Sequence, residues 1–274
     1  MIARSILFIY DCVLWLSVPL YFTFALVSSL GRPSVLVPHG ARFGWTRALS
    51  ALPRRAIWLH AVSVGEVAAT AIMIPELQKL AGATPVILSC TTRSGYLMAR
   101  KKLGAAFPLF YAPVDIKCVV RRFFRILEPR ALAVAEIEIW PNLFFEAAKR
   151  GVPLAIYNAR MPDGDWARYR RLKTVFSRVL GCTRIIAAQS AEDAARYCDI
   201  GAPMSRVLVT GNIKADLVAP SAPGKIVAAC GLDDGRPSLV LASSHRGEEK
   251  LVLHALAKVA ARGQIPGSGL RLII

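Results

Sequence analysis

The chain has 274 residues, 54% of them hydrophobic, which is enough apolar side chain to bury a large core in one or two domains and excludes a disordered chain. Lysine and arginine number 35 against 18 aspartates and glutamates, a formal net charge of +17, so the expected partners are anionic: phospholipid headgroups, phosphorylated substrates or nucleic acid. The six cysteines, Cys12, Cys90, Cys118, Cys182, Cys198 and Cys230, are scattered, with no C-x-x-C pair and no histidine at metal-ligand spacing; they read as buried apolar fillers in a reducing compartment, and no metal site is predicted.

In chain order the first element is the run from Ile6 to Leu30, which carries one charge, Asp11, and is long enough to span the bilayer core. It exceeds the apolar stretch of a cleaved signal peptide and ends in Gly31-Arg32-Pro33 rather than at a small-residue cleavage site. We read residues 1–35 as a membrane anchor. Only Arg4 precedes the run, whereas Arg32, Arg42, Arg47, Arg54 and Arg55 follow it, which places the body of the protein on the cytoplasmic side. Asp11 and Pro19 disfavour a straight span and leave open a tilted or interfacial helix. The alternative is a buried core helix.

After a Pro/Gly-marked linker near 31–40, strand-like and helical runs alternate. Strands are predicted at 57–61, 85–89, 107–111, 131–137, 153–158, 184–188 and 206–210. Helices are predicted at 66–81, 94–103, 116–126, 141–150, 165–180 and 191–199. One helix between each pair of strands implies a mostly parallel sheet covered on both faces, an α/β Rossmann-like domain over 36–220. Beyond the Pro-rich stretch 219–224, a strand at 239–242, a helix at 248–262 and a strand at 270–274 open a second unit of the same grammar over 221–274. Ending on an apolar strand, that unit reads as truncated.

Candidate chemistry collects at strand ends. Ser63 and Gly65 allow a tight turn after the first sheet strand, placing Glu66 in the first turn of the following helix, where ligands bind in open parallel sheets. On spacing alone Glu66 either complements the helix dipole or serves as a general base. In AEIEIWPN, 135–142, strand alternation predicts that Glu136 and Glu138 point to the same side, where two acids repel unless cations or substrate hydroxyls meet them. The turn TTRSG, 91–95, offers amides and Arg93. The stretch 158–173 gathers Arg160, Arg168, Arg170, Arg171 and Lys173 with Trp166 and Tyr169, a patch suited to phosphate or an anionic membrane surface, or else merely a solvated basic face. No nucleic-acid motif accompanies it, and no nucleic acid is expected as a partner. TGNIKAD, 210–216, places Lys214 after a strand, and SSHRGEE, 243–249, places Ser and His beside helix-start acids.

Together HAVSVGE at 60–66, EIEIWPN at 136–142, NAR at 158–160, AQSAEDAARY at 188–197, VTGNIKAD at 209–216 and ASSHRGEE at 242–249 resemble the ordered signature of the 3-deoxy-D-manno-octulosonic acid (Kdo) transferases. The chain departs from that signature at Ile137, where the family has Thr between the two acids, at Ser244, where it has Thr, and at Ala41, where an acid is common. The resemblance implies a membrane-anchored glycosyltransferase of the GT-B type, with two Rossmann-like domains, that moves Kdo from CMP-Kdo to the lipid A precursor (lipid IVA) by inverting displacement without a catalytic metal or other cofactor. It covers the family's N-terminal domain and only the opening of the second; the Pro-Arg-His segment and Gly-rich donor region lie beyond Ile274. It implies Glu66 as general base. It implies acceptor contacts from Ser63, Gly65, Arg93, Glu136, Glu138, Asn158 and Arg160, and donor contacts from Lys214, Ser243, Ser244, His245 and Glu248. Two other readings stay open: a non-catalytic peripheral protein binding acidic lipid, and a GT-B transferase using another sugar nucleotide.

Overall fold

The computed structural model describes residues 2–31, 40–217, 231, 234–264 and 269–273. Most of the expected linker near 31–40, the Pro-rich stretch 219–224, Cys230 and Ile274 lie outside them. The chain divides into two compact units, Met1–Leu217 and Val218–Ile274.

The first unit is built on seven strands: β1 (Ile57–Ala61), β2 (Val86–Cys90), β3 (Leu109–Tyr111), β4 (Ala131–Ala135), β5 (Leu154–Ala159), β6 (Ile185–Ala188) and β7 (Val207–Val209). They pair in parallel throughout, in the order β3-β2-β1-β4-β5-β6-β7. Such strands are buried on both faces and are therefore apolar almost without interruption. Alternation sorts them between two cores. Trp58, Ile87, Phe110, Leu132 and Ile156 face one side, and Leu59, Ala61, Val86, Leu88 and Cys90 face the other.

Helices α3 (Val64–Ala81) and α4 (Arg93–Leu103) cover the second face, whereas α5 (Lys117–Leu127), α6 (Pro141–Lys149) and α8 (Lys173–Leu180) cover the first. In α5 the buried residues Val119, Val120, Phe123, Phe124 and Leu127 recur at helical spacing and leave Arg121, Arg122 and Arg125 in water. Phe123 and Phe124 pack on Trp58, with ring centroids 6.5 and 5.5 Å away. Helices α7 (Asp163–Arg171) and α9 (Ala191–Asp199) complete the unit, and α2 (Arg47–Ser50) is a single turn.

The strand order decides where a ligand can enter. The chain builds outward from β1 to β3, then crosses back to place β4 beside β1 and builds the other way, so the loops leaving β1 and β4 diverge and open a crevice at their carboxyl ends.

Two sequence expectations need correction here. The strand predicted over 131–137 stops at Ala135, because Glu136 takes a left-handed conformation, φ 48°, and turns the chain. Alternation therefore does not govern Glu136 and Glu138. The helix predicted over 165–180 breaks at Leu172 (φ −112°, ψ 27°) into α7 and α8, and the break lets Tyr169 stand edge-on to Phe176, centroids 4.4 Å apart.

Helix α1 (Ile2–Gly31) is long and apolar enough to cross a membrane, yet it packs lengthwise on the domain. Ala3, Ile6, Leu7, Leu14 and Val18 form one stripe against the core cluster under α5, α6 and α8. The opposite stripe, Phe8, Ile9, Val13, Leu16 and Leu20, is 58–73% exposed. Polar groups fasten the packed stripe. The Tyr10 hydroxyl donates to Asp115 Oδ2 (2.9 Å), Asn142 Nδ2 donates to Asp11 Oδ1 (2.8 Å), and Lys117 pairs with Asp11. The lone acid of the apolar run therefore has its partners on the domain.

The second unit, described by itself, contains β8 (Ser238–Val240), α10 (Glu248–Ala261) and β9 (Arg271–Ile273), a parallel β-α-β unit.

Candidate active site

The loop from β1 into α3 is held by its own side chains. Ser63 caps α3: its Oγ accepts from Glu66 N (3.2 Å), while Glu66 Oε1 accepts from Ser63 N (3.2 Å) and Oε2 accepts from Val62 N (2.8 Å). The helix-start reading of Glu66 is met directly in this geometry. The carboxylate supports the helix start, and two accepted bonds fix its position while leaving other lone pairs unused. Glu66 is only 7% exposed. The Thr92 hydroxyl, at the cap of α4, donates to Val62 O (2.8 Å) and ties the TTRSG turn with Arg93 to this loop. Among the described residues Arg93 makes no ion pair.

The loop after β4 brings the other acids to the same crevice. Glu136 is fixed by its backbone, which donates to Tyr157 O (3.0 Å) and accepts from the Tyr197 hydroxyl (2.8 Å). Its Oε1 accepts from Asn158 Nδ2 (3.3 Å) and from Lys214 Nζ (3.3 Å). Asn158, buried at the end of β5 with φ 51°, also accepts from Ile213 N through Oδ1 (3.1 Å), and its carbonyl accepts from Gln189 Nε2 (3.0 Å). Positive φ at Glu136 and Asn158 marks strain retained at two adjoining strand ends.

Glu138 points elsewhere. Its Oε2 accepts from Trp140 Nε1 (2.9 Å), and burial, with the neighbouring charges of Glu66 and Glu136, pushes its pKa up to about 7 against that hydrogen bond. The charges of Glu66 and Glu136 are thus felt at Glu138, and among the described residues Glu136 alone of the three pairs with a cation.

Lys214, assigned from sequence to the donor side, lies in the first unit. A Cβ placed on Gly65 would sit 3.7 Å from its Nζ, at ordinary contact distance, which puts the ammonium above the start of α3. Arg160 is exposed as the chain leaves β5 and makes no ion pair among the described residues. The rest of the basic patch is partly neutralised: Arg168 pairs with Asp165 (3.3 Å), and Arg170 and Lys173 with Asp199 (3.5 and 3.7 Å).

In the second unit, Ser244 Oγ donates to Glu249 Oε1 (2.5 Å) and His245 N donates to Glu248 Oε2 (2.8 Å), so these residues form the turn that starts α10. Ser243 sits there at φ 58°.

Three groups near the crevice escaped the sequence reading. Asp115 is buried, accepts from Asn142 N (3.0 Å), Leu143 N (2.8 Å) and Tyr10, and is driven up to about 7 by burial despite those bonds. Its signal was Asp11 itself, an acid in an apolar helix that calls for polar partners. Tyr157 shares a 2.6 Å hydrogen bond with Thr70 behind Glu66, at a position indistinguishable from core in sequence. His60, buried against Ser89 (2.9 Å), is lowered to about 3 by burial and stays neutral, a structural role. Among the described cysteines only Cys90 is fully buried and Cys118 is exposed, so the expectation of uniformly buried fillers fails; all are free thiols. Among the described residues no three His, Cys, Asp or Glu side chains converge as a metal site.

Residues 39–217 match the family described as 3-deoxy-D-manno-octulosonic-acid transferase (kdotransferase). The 3-deoxy-D-manno-octulosonic acid transferase of Haemophilus influenzae is 29% identical over 93% of this chain and 60% of its own length. That of Bordetella pertussis is 33% identical over 81% of this chain and 52% of its own. The chain thus spans between half and two thirds of the length of these relatives. Among solved structures, UDP-GlcNAc 2-epimerase from Neisseria meningitidis, bound to UDP-GlcNAc, superposes with a TM-score of 0.54 at 12% identity, covering 80% of this chain and 71% of that one. At that identity the likeness shows the fold alone, a parallel-sheet Rossmann-like arrangement of the GT-B type.

Proposed function

Because the chain belongs to the 3-deoxy-D-manno-octulosonic-acid transferase family, we propose that it serves in the transfer of Kdo from CMP-Kdo to the lipid A precursor, lipid IVA, at the cytoplasmic face of a bacterial inner membrane. The observation that carries this reading is the Glu136–Lys214 ion pair at the end of β4, with Lys214 reaching over the start of α3 where Glu66 is held. This is where open parallel sheets bind ligands.

In the proposed reaction an acceptor sugar hydroxyl attacks the anomeric carbon of the donor sugar. The bond from that carbon to the CMP phosphate oxygen breaks, CMP leaves with the electron pair, and the hydroxyl proton passes to Glu66. Two backbone N–H bonds hold the Glu66 carboxylate in one orientation, so it need not reorganise to take the proton. No metal or other cofactor enters this scheme. Glu136 and Asn158 accept and donate to sugar hydroxyls beside it. Glu138, near half protonation at neutral pH, donates or accepts there.

Lys214, Arg93 and Arg160 supply positive charge for phosphate, and Ser63 and Gly65 keep the floor of the crevice open. Lys214 we place with the acceptor phosphates or between acceptor and donor. Ser243, Ser244, His245 and Glu248 we retain as donor-side residues of the second unit. Helix α1, packed along the body with a bare apolar stripe, lies in the membrane interface rather than across it, next to an anionic surface that the basic chain favours.

Titration of the 274-residue chain with the phosphorylated glucosamine disaccharide headgroup tests the acceptor part. Binding that Lys214→Ala weakens about tenfold at low salt, with the difference shrinking at high salt, agrees with a screened phosphate contact. Absence of binding by the parent chain contradicts the proposal.

A further inference from the structure

An open slot of about 370 Å³ lies between α1 and the body of the first unit. Ile6 and Leu7 of α1 line one wall, Leu172 and Phe176 at the α7–α8 break line another, and Ile139 and Glu138 belong to the loop after β4. Its volume is in the range of small-ligand pockets. Its chemistry is not that of a sugar or nucleotide site. Two polar groups on its wall are already engaged: the Tyr10 hydroxyl with Asp115 (2.9 Å) and the Trp140 indole N–H with Glu138 (2.9 Å). What remains is mostly aliphatic and aromatic surface, with the Glu138 carboxyl at the end nearest the loop after β4 and the Tyr169 ring on the wall, and Leu172 is 39% exposed where the helix breaks.

The wall made by α1 says which apolar occupant fits. From Phe8 to Leu20 the opposite stripe of this helix is bare and apolar, a face suited to the level of lipid chains. The loop carrying Glu138 leads from the same slot to Glu136, one end of the acidic crevice. We infer that the slot between α1 and the α7–α8 break holds one saturated acyl chain of the acceptor lipid, with the chain's headgroup end directed to the loop of Glu136 and Glu138. This deepens the acceptor reading of the crevice and rests on it. The chain enters alongside α1, and burial of its methylenes adds affinity that the sugar phosphates alone do not provide.

The test compares binding of the phosphorylated disaccharide with and without acyl chains of graded length, below their aggregation concentrations, to the full 274-residue chain and to two variants at the mouth. Leu172→Trp fills the slot and Leu172→Ala enlarges it; both change a part-exposed residue. The expected result is tighter binding of acylated ligand by the parent chain, at least tenfold weaker binding of that ligand by Leu172→Trp, deacylated ligand within twofold for all three proteins, and a preference for longer chains in Leu172→Ala. Equal affinity of the parent for acylated and deacylated ligand, or an equal loss of both in Leu172→Trp, overturns the slot and leaves the acceptor crevice standing. Retention of a simple fatty acid, abolished by Leu172→Trp, with no binding of the deacylated disaccharide, overturns the acceptor reading instead. Affinity for a peptide helix or self-association that Leu172→Trp removes, without any acyl-chain effect, overturns the choice of occupant.

Discussion

Glu138→Gln tests the electrostatics of the crevice with no ligand present. Burial, Glu66 and Glu136 raise the Glu138 carboxyl from 4.5 to about 7 in the folded chain. A raised carboxyl favours folding in its protonated form, so its contribution is complete below the unfolded value near 4.5 and is lost as pH rises through about 7. At roughly 1.4 kcal/mol per pH unit the gap amounts to about 3 kcal/mol, and about 2 kcal/mol after discounting for the part of the side chain that water reaches. Glutamine mimics the protonated acid and keeps an oxygen for the Trp140 N–H. Denaturant unfolding of parent and variant is therefore expected to give nearly equal stability at pH 4.5 and a variant more stable by about 2 kcal/mol at pH 8. A difference between the two proteins that does not change with pH refutes the argument, as does a variant less stable at pH 8.

Asp11→Ala removes the acid that holds Lys117 and Asn142 against α1, a charged hydrogen-bond loss of about 1.5–3 kcal/mol, and should raise amide exchange over residues 3–18 while leaving the sheet protected. Unchanged exchange in α1 would show that the apolar stripe alone docks the helix. Gly201→Ala places a Cβ 2.5 Å from Ser177 Cβ at φ 108°, and is expected to cost at least about 2 kcal/mol in unfolding free energy. A variant within 0.5 kcal/mol of the parent, an ordinary surface effect, contradicts the packing described there.

Periodicity carried most of the fold. Every strand of the first unit lies within about two residues of its predicted place, because parallel strands buried on both faces announce themselves as apolar runs. The failures have local causes. The alternation rule was extended past Ala135 into Glu136, where the backbone turns left-handed, and nothing in EIEIW signals that. The break at Leu172 is invisible because KTVFSRVL continues the helical pattern; only the packing of Tyr169 on Phe176 reveals it.

Strand order was not legible either. The sequence placed Glu66, Glu136 and Asn158 at strand ends, but only the reversal between β1 and β4 brings those ends together. The pairing of Lys214 with Glu136 was likewise not legible, since it depends on the chain folding residue 214 back over the end of β4. For α1, hydropathy gave the helix and missed its docking, since both faces are apolar and only Asp11 distinguishes them.

The central claim is that Glu66 takes the acceptor proton, and the most direct measurement is turnover of Glu66→Gln. Residues 1–217 joined to the second half of the Bordetella pertussis relative provide a chain in which transfer from CMP-Kdo to lipid IVA is followed alongside thermal unfolding and acceptor binding. Glutamine keeps one of the two accepted backbone bonds at the start of α3, so some loss of stability, about 0.5–2 kcal/mol, is expected whether or not the residue is catalytic. Turnover separates the cases. The account predicts a rate 10²–10⁴-fold below the parent, roughly the contribution of a general base, with acceptor affinity within a few fold; a rate within threefold of the parent on the same destabilised sample would confine Glu66 to capping the helix.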